Sequence, residues 1–333
     1  MKKVSLTGIF LSMFVVMGCA TDEETESASE ETYDITLGHL AETGHHYHEI
    51  SERFAELVEE RTDGNVNVEV YPSDQLGTQT ESVEAVMSGA QDMVLTSDSV
   101  ISGWVEDFGI LNLPFLFEDM HQANEVLNSS PGAKLEEQLE EEHDTVLLGW
   151  WVNGFRHVTS SQEIQEPSDL QGMTIRTPES QVMMEVFENF GASPSPMGMG
   201  ELYTALQQGT VDGQENPTTN IIDNSMYEVQ DYIARTSHIY QTEPILINRT
   251  LLESMPEEYQ EAIIETGKEL EQEHIEMVET REEEEWDQIE EEGMTINDVD
   301  TEVFREASEP VYDTVRESLD EEILDDILEH TGQ

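Results

Sequence analysis

Arg176 has the most specific chemistry open to it in this chain. Only 13 of 333 residues are Lys or Arg, against 75 Asp or Glu, for a formal net charge of -62. A guanidinium set among apolar residues therefore stands out. Arg176 follows Ile175 in the predicted strand Met173 to Thr177, and Thr177-Pro178 fixes the exit. The planar fork of arginine meets a carboxylate with two parallel hydrogen bonds, which a lysine point charge cannot reproduce. Its alternative is a salt bridge to a surface acid. Asn153-Gly154-Phe155-Arg156 is read just past another strand end, where open α/β sheets place ligands. Gln214-Glu215-Asn216-Pro217 puts two amides and a carboxylate in three positions before a proline. That is a polar loop able to present hydrogen-bonding groups, or else a plain surface turn.

Other clusters carry less. His45-His46-x-His48 tempts a metal reading, but three imidazoles so close seldom share one side and no matching acid or cysteine spacing follows, so no metal is expected. Gly198-Met199-Gly200 lacks the third glycine of a dinucleotide loop, and no cofactor is expected. There is no G-x-S-x-G elbow, and the single cysteine, Cys19, lies in an export signal. Abundant carboxylates on so acidic a chain are no sign of paired acid–base work. An enzyme acting on a carboxylic acid remains the alternative from another class, told apart by turnover of the bound acid.

The elements that would position these residues read as α/β. Ile35–Leu40, Val66–Val70 and Met93–Leu95 are predicted strands, with helices at His48–Thr62 and Thr80–Met87 between them, which argues for a parallel or mixed sheet with covering helices. Leu113–Phe117 reads as buried core. Two helices follow, 119–127 and 134–142, separated by Pro131-Gly132. Val146–Val152, with Trp150 and Trp151, reads as one buried strand entering a second domain. There Ser180–Phe190 reads as a helix, Ala192–Pro196 as irregular, Glu201–Gln208 as a helix stopped by Gly209, Ile221–Ile233 as a helix, and Pro244–Asn248 as a returning strand. Crossings near Val152 and Gln241 would form a hinge.

WWVNGFRHVTS, PSDLQGMTIRTPES, GASPSPM and ELYTALQQGTVDGQENP, in this order and near this spacing, resemble the substrate-binding subunit of TRAP (tripartite ATP-independent periplasmic) transporters, from about Tyr33 to the C-terminal helices. The resemblance implies a two-lobed periplasmic-binding-protein-like fold with mixed sheets, a hinge and a long bracing helix at about 256–291. Lobe I would be 33–152 plus 242–281, and lobe II 153–241 plus 282–333. It implies that Arg176 clamps a ligand carboxylate, that Arg156 supports it directly or through water, and that Asn216 hydrogen-bonds the same group. Asn153 and Gln214 fall in the same phrases. Met199 stands where relatives often carry an aromatic, so the apolar wall is more pliable here. His39, Glu42 and His46 would form the opposite lip, and Ser97 sits near where some relatives place a carboxylate that reads ligand hydroxyls. The implied ligand is a small organic acid, a C4-dicarboxylate or a sugar acid, delivered to the membrane subunits of a permease. A sensor subunit serving a receptor is the second reading.

Lys2 and Lys3 followed by an apolar run to Val16 make an export signal too short to span a membrane, and Val16-Met17-Gly18-Cys19 resembles a lipobox. Residues 1–18 are thus expected to be a lipoprotein signal peptide, Cys19 the lipid-bearing first mature residue, and 19–32 a polar flexible tether; a soluble secreted protein cleaved nearby is the alternative. The expected protein is extracytoplasmic, anchored to the membrane by lipid, and monomeric. Its acidic surface excludes nucleic acid and suits high salt or alkaline surroundings.

Overall fold

The computed structural model describes residues 32–333; residues 1–31, with the expected signal peptide, Cys19 and most of the expected tether, lie outside the described residues. The chain begins with β1 (Tyr33–Gly38), α1 (His46–Arg61), β2 (Val66–Tyr71), α2 (Gln79–Met87), β3 (Met93–Leu95), α3 (Asp98–Ile101), α4 (Met120–Leu127) and α5 (Ser130–His143). It continues through β4 (Thr145–Gly149), β5 (Val152–Phe155), β6 (His157–Ser160), β7 (Thr174–Thr177), α6 (Gln181–Asn189), β8 (Ser193–Pro196), α7 (Met199–Gln207), β9 (Gly213–Asn216) and α8 (Thr218–Asp223). Then come β10 (Tyr232–Ala234), β11 (Tyr240–Thr242), β12 (Ile245–Asn248), α9 (Arg249–Glu253), α10 (Glu257–Glu291), β13 (Thr295–Asn297), α11 (Thr301–Ser318) and α12 (Glu321–Thr331).

Two mixed sheets organise these elements. The first has the order β2-β1-β3-β12-β4, with β1 parallel to β2 and β3 and β12 antiparallel to β3 and β4. The second has the order β13-β10-β6-β9-β7-β8. The period-two alternation of a strand assigns its faces. Ile245 and Ile247 of β12 join Ile35, Leu37, Ile50, Phe54 and Leu270 in a core under α1 and α10. Leu246, between them, belongs to a larger core with Leu135, Leu139, Ile175 and Phe187. In α1 the apolar face is Ile50, Phe54 and Val58, at i, i+4 and i+8, and the His45 side chain caps the Tyr47 N–H.

The sheets are joined by a ribbon. β5 and β11 pair antiparallel with a bulge between Gln241 and Thr242. The ribbon is extended by Arg156 N–H to Ile239 O (2.9 Å) and Glu243 N–H to Trp151 O (2.8 Å). Val152 and Gln241 both lie in this ribbon. The 35-residue α10 lies along it. Trp151 Nε1 donates to Gly267 O (2.9 Å), Trp150 N–H to Glu271 Oε1 (2.9 Å) and Val152 N–H to His274 Nδ1 (3.2 Å). A Cβ on Gly267 would stand 2.5 Å from Leu148 O, and one on Gly149 2.4 Å from Gly267 O, so this approach requires glycine on both elements. α10 packs on α1, β4 and α8. α12 packs on α4 and α5, whereas α11 packs on α6.

Several local expectations are corrected. Residues 146–152 are not one strand: β4 ends at Gly149, Trp150 and Trp151 bridge to β5, and Asn153 lies within β5 rather than past a strand end. Pro131-Gly132 does not separate two helices but starts α5, because a proline in the first turn lacks only an N–H that has no partner there. Ala192–Pro196 is not irregular. Ser193–Pro196 is edge strand β8, parallel to β7, with prolines at alternate positions where no donor is needed. Gln214–Asn216 is not a loop but part of β9, a fully buried central strand between β6 and β7. Finally, 221–233 is not a single helix: α8 ends at Asp223 and a short 3-10 turn at Met226–Glu228 leads into β10.

Candidate functional site

β9 positions the site because its side chains are polar and buried on both faces. Gly213 permits the close pairing, since a Cβ there would meet Thr159 O at 2.4 Å. Gln214 donates to Thr159 Oγ1 (2.9 Å) and accepts from Asn216 Nδ2 (2.5 Å). Glu215, on the other face, takes Arg156 in a two-pronged ion pair: Nε donates to Oε2, and Nη2 to Oε1 (2.8 Å) and to Glu215 O (2.6 Å). Arg156 Nη1 donates to Gln241 Oε1, which leaves one of its five N–H groups. Both side chains of this pair are closed to solvent, and Arg156 holds the Glu215 carboxyl below its usual range in spite of burial. His238 Nε2 lies 3.5 Å from Glu215 Oε2.

Arg176 is placed differently. Ile175 packs into the core with α6, so its neighbour turns to the opposite face of β7. Arg176 is 4% exposed. Its Nε and Nη2 both donate to Met197 O, at 2.9 and 2.7 Å. That occupies the side edge of the guanidinium and leaves the end edge, Nη1 with the outer Nη2 hydrogen, unused. Among the described residues no carboxylate reaches ion-pair distance of it. Burial pulls its pKa down to about 10, so it is still a cation at neutral pH.

The cavity in front of this edge is about 350 Å³, within the usual span of small-molecule sites. Arg176, Arg156, Asn153, Asn216, Met199 and Ser97 all line it. Gln214, His39, Glu42 and His46 do not lie on its wall. Gln214 instead holds Asn216 from behind. His39 Nε2 pairs with His48 Nδ1 (3.2 Å) and His46 Nδ1 with His274 Nε2 (2.7 Å), while Glu42 is exposed. Burial lowers the pKa of His39 to about 4 and of His274 to about 3, and holds His46 well below its usual value. No metal-ligating cluster occurs among the described residues.

Side-chain amides tie the wall together. Asn220 Nδ2 donates to Asn153 Oδ1 (3.1 Å) and Asn216 Oδ1 (3.2 Å), and Asn220 Oδ1 meets His45 Nε2 at 2.9 Å. Asn153 Nδ2 donates to Gln241 Oε1 (2.6 Å), and Gln241 Nε2 to Ser99 Oγ (2.8 Å), which meets Ser97 Oγ at 2.9 Å. The second of Asn216's two N–H groups has only the weak acceptor Met199 Sδ, at 4.0 Å.

The opposite wall was not found by sequence reasoning. It comprises Tyr47, Asp74, Gln79 and Glu243, with Thr78 and Glu81. One local signal was available: Thr78-x-x-Glu81 is a capping box, which places the start of α2 at the cavity. Tyr47 and Glu243, 196 residues apart and hydrogen-bonded at 3.0 Å, gave no such signal.

The profile of the bacterial extracellular solute-binding protein family 7, DctP, matches residues 37–318. The y4mM protein of Sinorhizobium fredii is 40% identical over 65% of this chain, but the chain spans only 40% of that protein's length; for a Verminephrobacter eiseniae solute-binding protein, 38% identical, it spans 64%. The 2,3-diketo-L-gulonate-binding periplasmic protein YiaO of Escherichia coli is 30% identical over 78% of this chain and 80% of its own. Among solved structures, the sugar acid binding protein of Advenella mimigardefordensis in complex with galactonate superposes with a TM-score of 0.86 at 27% identity, covering 91% of this chain and 98% of that one. No helix among the described residues is long and apolar enough to cross a membrane. The chain belongs to bacterial extracellular solute-binding protein family 7, and its two-lobed fold is that of solved TRAP periplasmic solute-binding proteins.

Proposed function

We propose that this chain captures a small organic acid outside the cytoplasm and hands it to the membrane subunits of a TRAP permease. The ligand carboxylate meets the end edge of Arg176, with Asn216 donating beside it and the last N–H of Arg156 within reach directly or through one water. The observation that carries this reading is the state of Arg176: buried, cationic, backed by a backbone carbonyl and lining a cavity with no carboxylate at ion-pair distance of it. An uncompensated buried charge is costly, and an anion in the cavity relieves that cost. The names of the relatives agree in kind, since YiaO is named for a keto sugar acid and the Advenella protein holds galactonate.

Capture would close lobe I (33–152 with 242–281) on lobe II (153–241 with 282–333), with the β5–β11 ribbon as the hinge. Cys19 would carry the lipid that keeps the domain at the membrane, and the protein would act as a monomer. The charge of -62 suits high salt, where screening shortens to a few ångströms and leaves the desolvated cavity untouched. The test is a thermal-shift screen of C4-dicarboxylates, sugar acids and the matching neutral sugars, since a ligand that binds the native state raises the melting temperature by mass action. Shifts confined to acids support the reading; a neutral sugar that shifts the protein as strongly as its acid overturns it.

A further inference from the structure

We infer that His45 and Gln230, neither of which lines the cavity, are positioning residues: two hydrogen-bond chains that run through them from main-chain groups turn the Asn216 amide so that its N–H, and not its oxygen, is offered to the ligand. The inference rests on the proposed Asn216–carboxylate bond and deepens it.

An amide can show a neighbour either end, and which end it shows follows from its other partners. Only the N–H end can bond a carboxylate. The first chain starts at the Tyr47 N–H, which can only donate. It bonds His45 Nδ1 at 3.1 Å, so that nitrogen carries no proton. The ring is buried, which lowers its pKa to about 3, so it is neutral and its one proton sits on Nε2. Nε2–H therefore donates to Asn220 at 2.9 Å, and the atom it meets is Oδ1. Asn220 Nδ2 is left to donate to Asn216 Oδ1 at 3.2 Å and to Asn153 Oδ1 at 3.1 Å.

The second chain starts at the Val229 carbonyl, which can only accept. Gln230 Nε2 donates to it at 2.9 Å, so Gln230 Oε1 takes the Thr159 hydroxyl proton at 3.1 Å. Thr159 then has no hydrogen left for Gln214 and accepts from its Nε2 at 2.9 Å. Gln214 Oε1 is thereby turned to Asn216 and takes one Nδ2 hydrogen at 2.5 Å. The two chains share no residue before Asn216, yet they impose the same orientation on it. Arg156, which has only donors, agrees from a third side. Its Nη1 fixes Gln241 Oε1 as an acceptor, so Asn153 meets Gln241 with Nδ2 at 2.6 Å and turns Oδ1 to Asn220. All these side chains are buried. Turning Asn216 over would set its oxygen against Gln214 Oε1 and its N–H against Asn220 Nδ2, where an unmet polar group is costly.

The two bonds of His45 can be separated by substitution. Asn has an oxygen as far from Cβ as Nδ1, so it keeps the cap on α1 and loses the donor to Asn220. Gln has a nitrogen as far from Cβ as Nε2, so it keeps the donor and loses the cap. Both lose the ring. The test is thermal melting and isothermal titration of the full chain with galactonate, glucuronate and succinate, the tightest binder serving as probe. His45→Asn should melt higher than His45→Gln but bind roughly three-fold or more weakly than it. Adding Gln230→Met to His45→Asn should bring the loss against the parent to roughly ten-fold or more. In an Asn216→Leu background, His45→Asn should change the affinity no further. Histidine-selective nitrogen NMR should show an Nε2–H tautomer for the signal that His45→Asn removes. An Nδ1–H tautomer, or affinities of the two His45 variants that are equal or follow their melting order, overturns this inference alone. Failure of all three acids to bind, or binding that Asn216→Leu leaves unchanged, overturns the underlying reading.

Discussion

Replacing Arg176 by Met should separate ligand binding from fold stability. Met approximates the volume of the side chain and removes the charge. Two charge-assisted hydrogen bonds are available on the free edge of Arg176, each worth about 1.5–3 kcal/mol net. Loss of one partner from a buried charge pair costs about 2–5 kcal/mol, so a loss of about 3 kcal/mol, roughly a hundred-fold in Kd, is the central expectation. Arg176→Lys keeps a charge but offers no parallel pair, and it also deprives Met197 O of its two-pronged donor. It should remain at least about ten-fold weaker than the parent. In the unliganded protein two effects oppose each other: Arg176→Met removes a buried charge that has no carboxylate at ion-pair distance, but leaves Met197 O without its two donors, so the variant should melt close to the parent. Isothermal titration and thermal melting of the same samples check both halves. Binding within three-fold of the parent refutes the carboxylate clamp, and a steep fall in the melting temperature of the free variant would mean that Arg176 is a structural residue.

Glu215→Gln leaves Arg156 buried without its ion-pair partner and should destabilise the fold by about 3–5 kcal/mol in urea titration. Gly267→Ala forces a Cβ to within 2.5 Å of Leu148 O and should cost about 1–3 kcal/mol by the same measurement, with the affinity for any ligand unchanged because the site is not touched. Stability should peak near pH 6–7. His39, His45 and His274 are lowered from 6.5 to about 4, 3 and 3, so the stability they contribute is present above 6.5 and is lost as pH falls through those values. Glu243 is raised from 4.5 to about 8, so its contribution is present at low pH and is lost as pH rises toward 8. Unfolding free energies that stay flat between pH 5 and 6.5 would contradict the burial of the imidazoles.

The sequence carries the fold best where one residue type decides one geometry. Ile50, Phe54 and Val58 announce α1, and the valines at 66, 68 and 70 announce β2, because their spacing matches the helix or strand period. β9 was read as a loop because the usual cue for a buried strand is an apolar run, and Gly213-Gln214-Glu215-Asn216 has none. Its burial depends on partners far away in the chain: Arg156 for Glu215 and Thr159 for Gln214. Arg176 and Asn216 could be picked out by residue type and neighbouring phrase. That Arg156 is paired while Arg176 is open could not, since both read as arginines near strand ends. His39 and His46 looked like a lip because they follow a strand. His39 turns instead toward His48 in α1, and His46 toward His274, which only the packing of α1 against α10 makes its neighbour.

The prolines of β8 have an effect beyond the fold of one molecule. Ser193 and Met197 give their N–H groups inward, to Met173 O at 2.8 Å and Thr177 O at 3.2 Å, and the alternate positions, where N–H groups would point outward, are Pro194 and Pro196. A foreign strand docking on that margin would find no donors there. That lack of donors is fixed by the imino acids themselves and is independent of ionic strength.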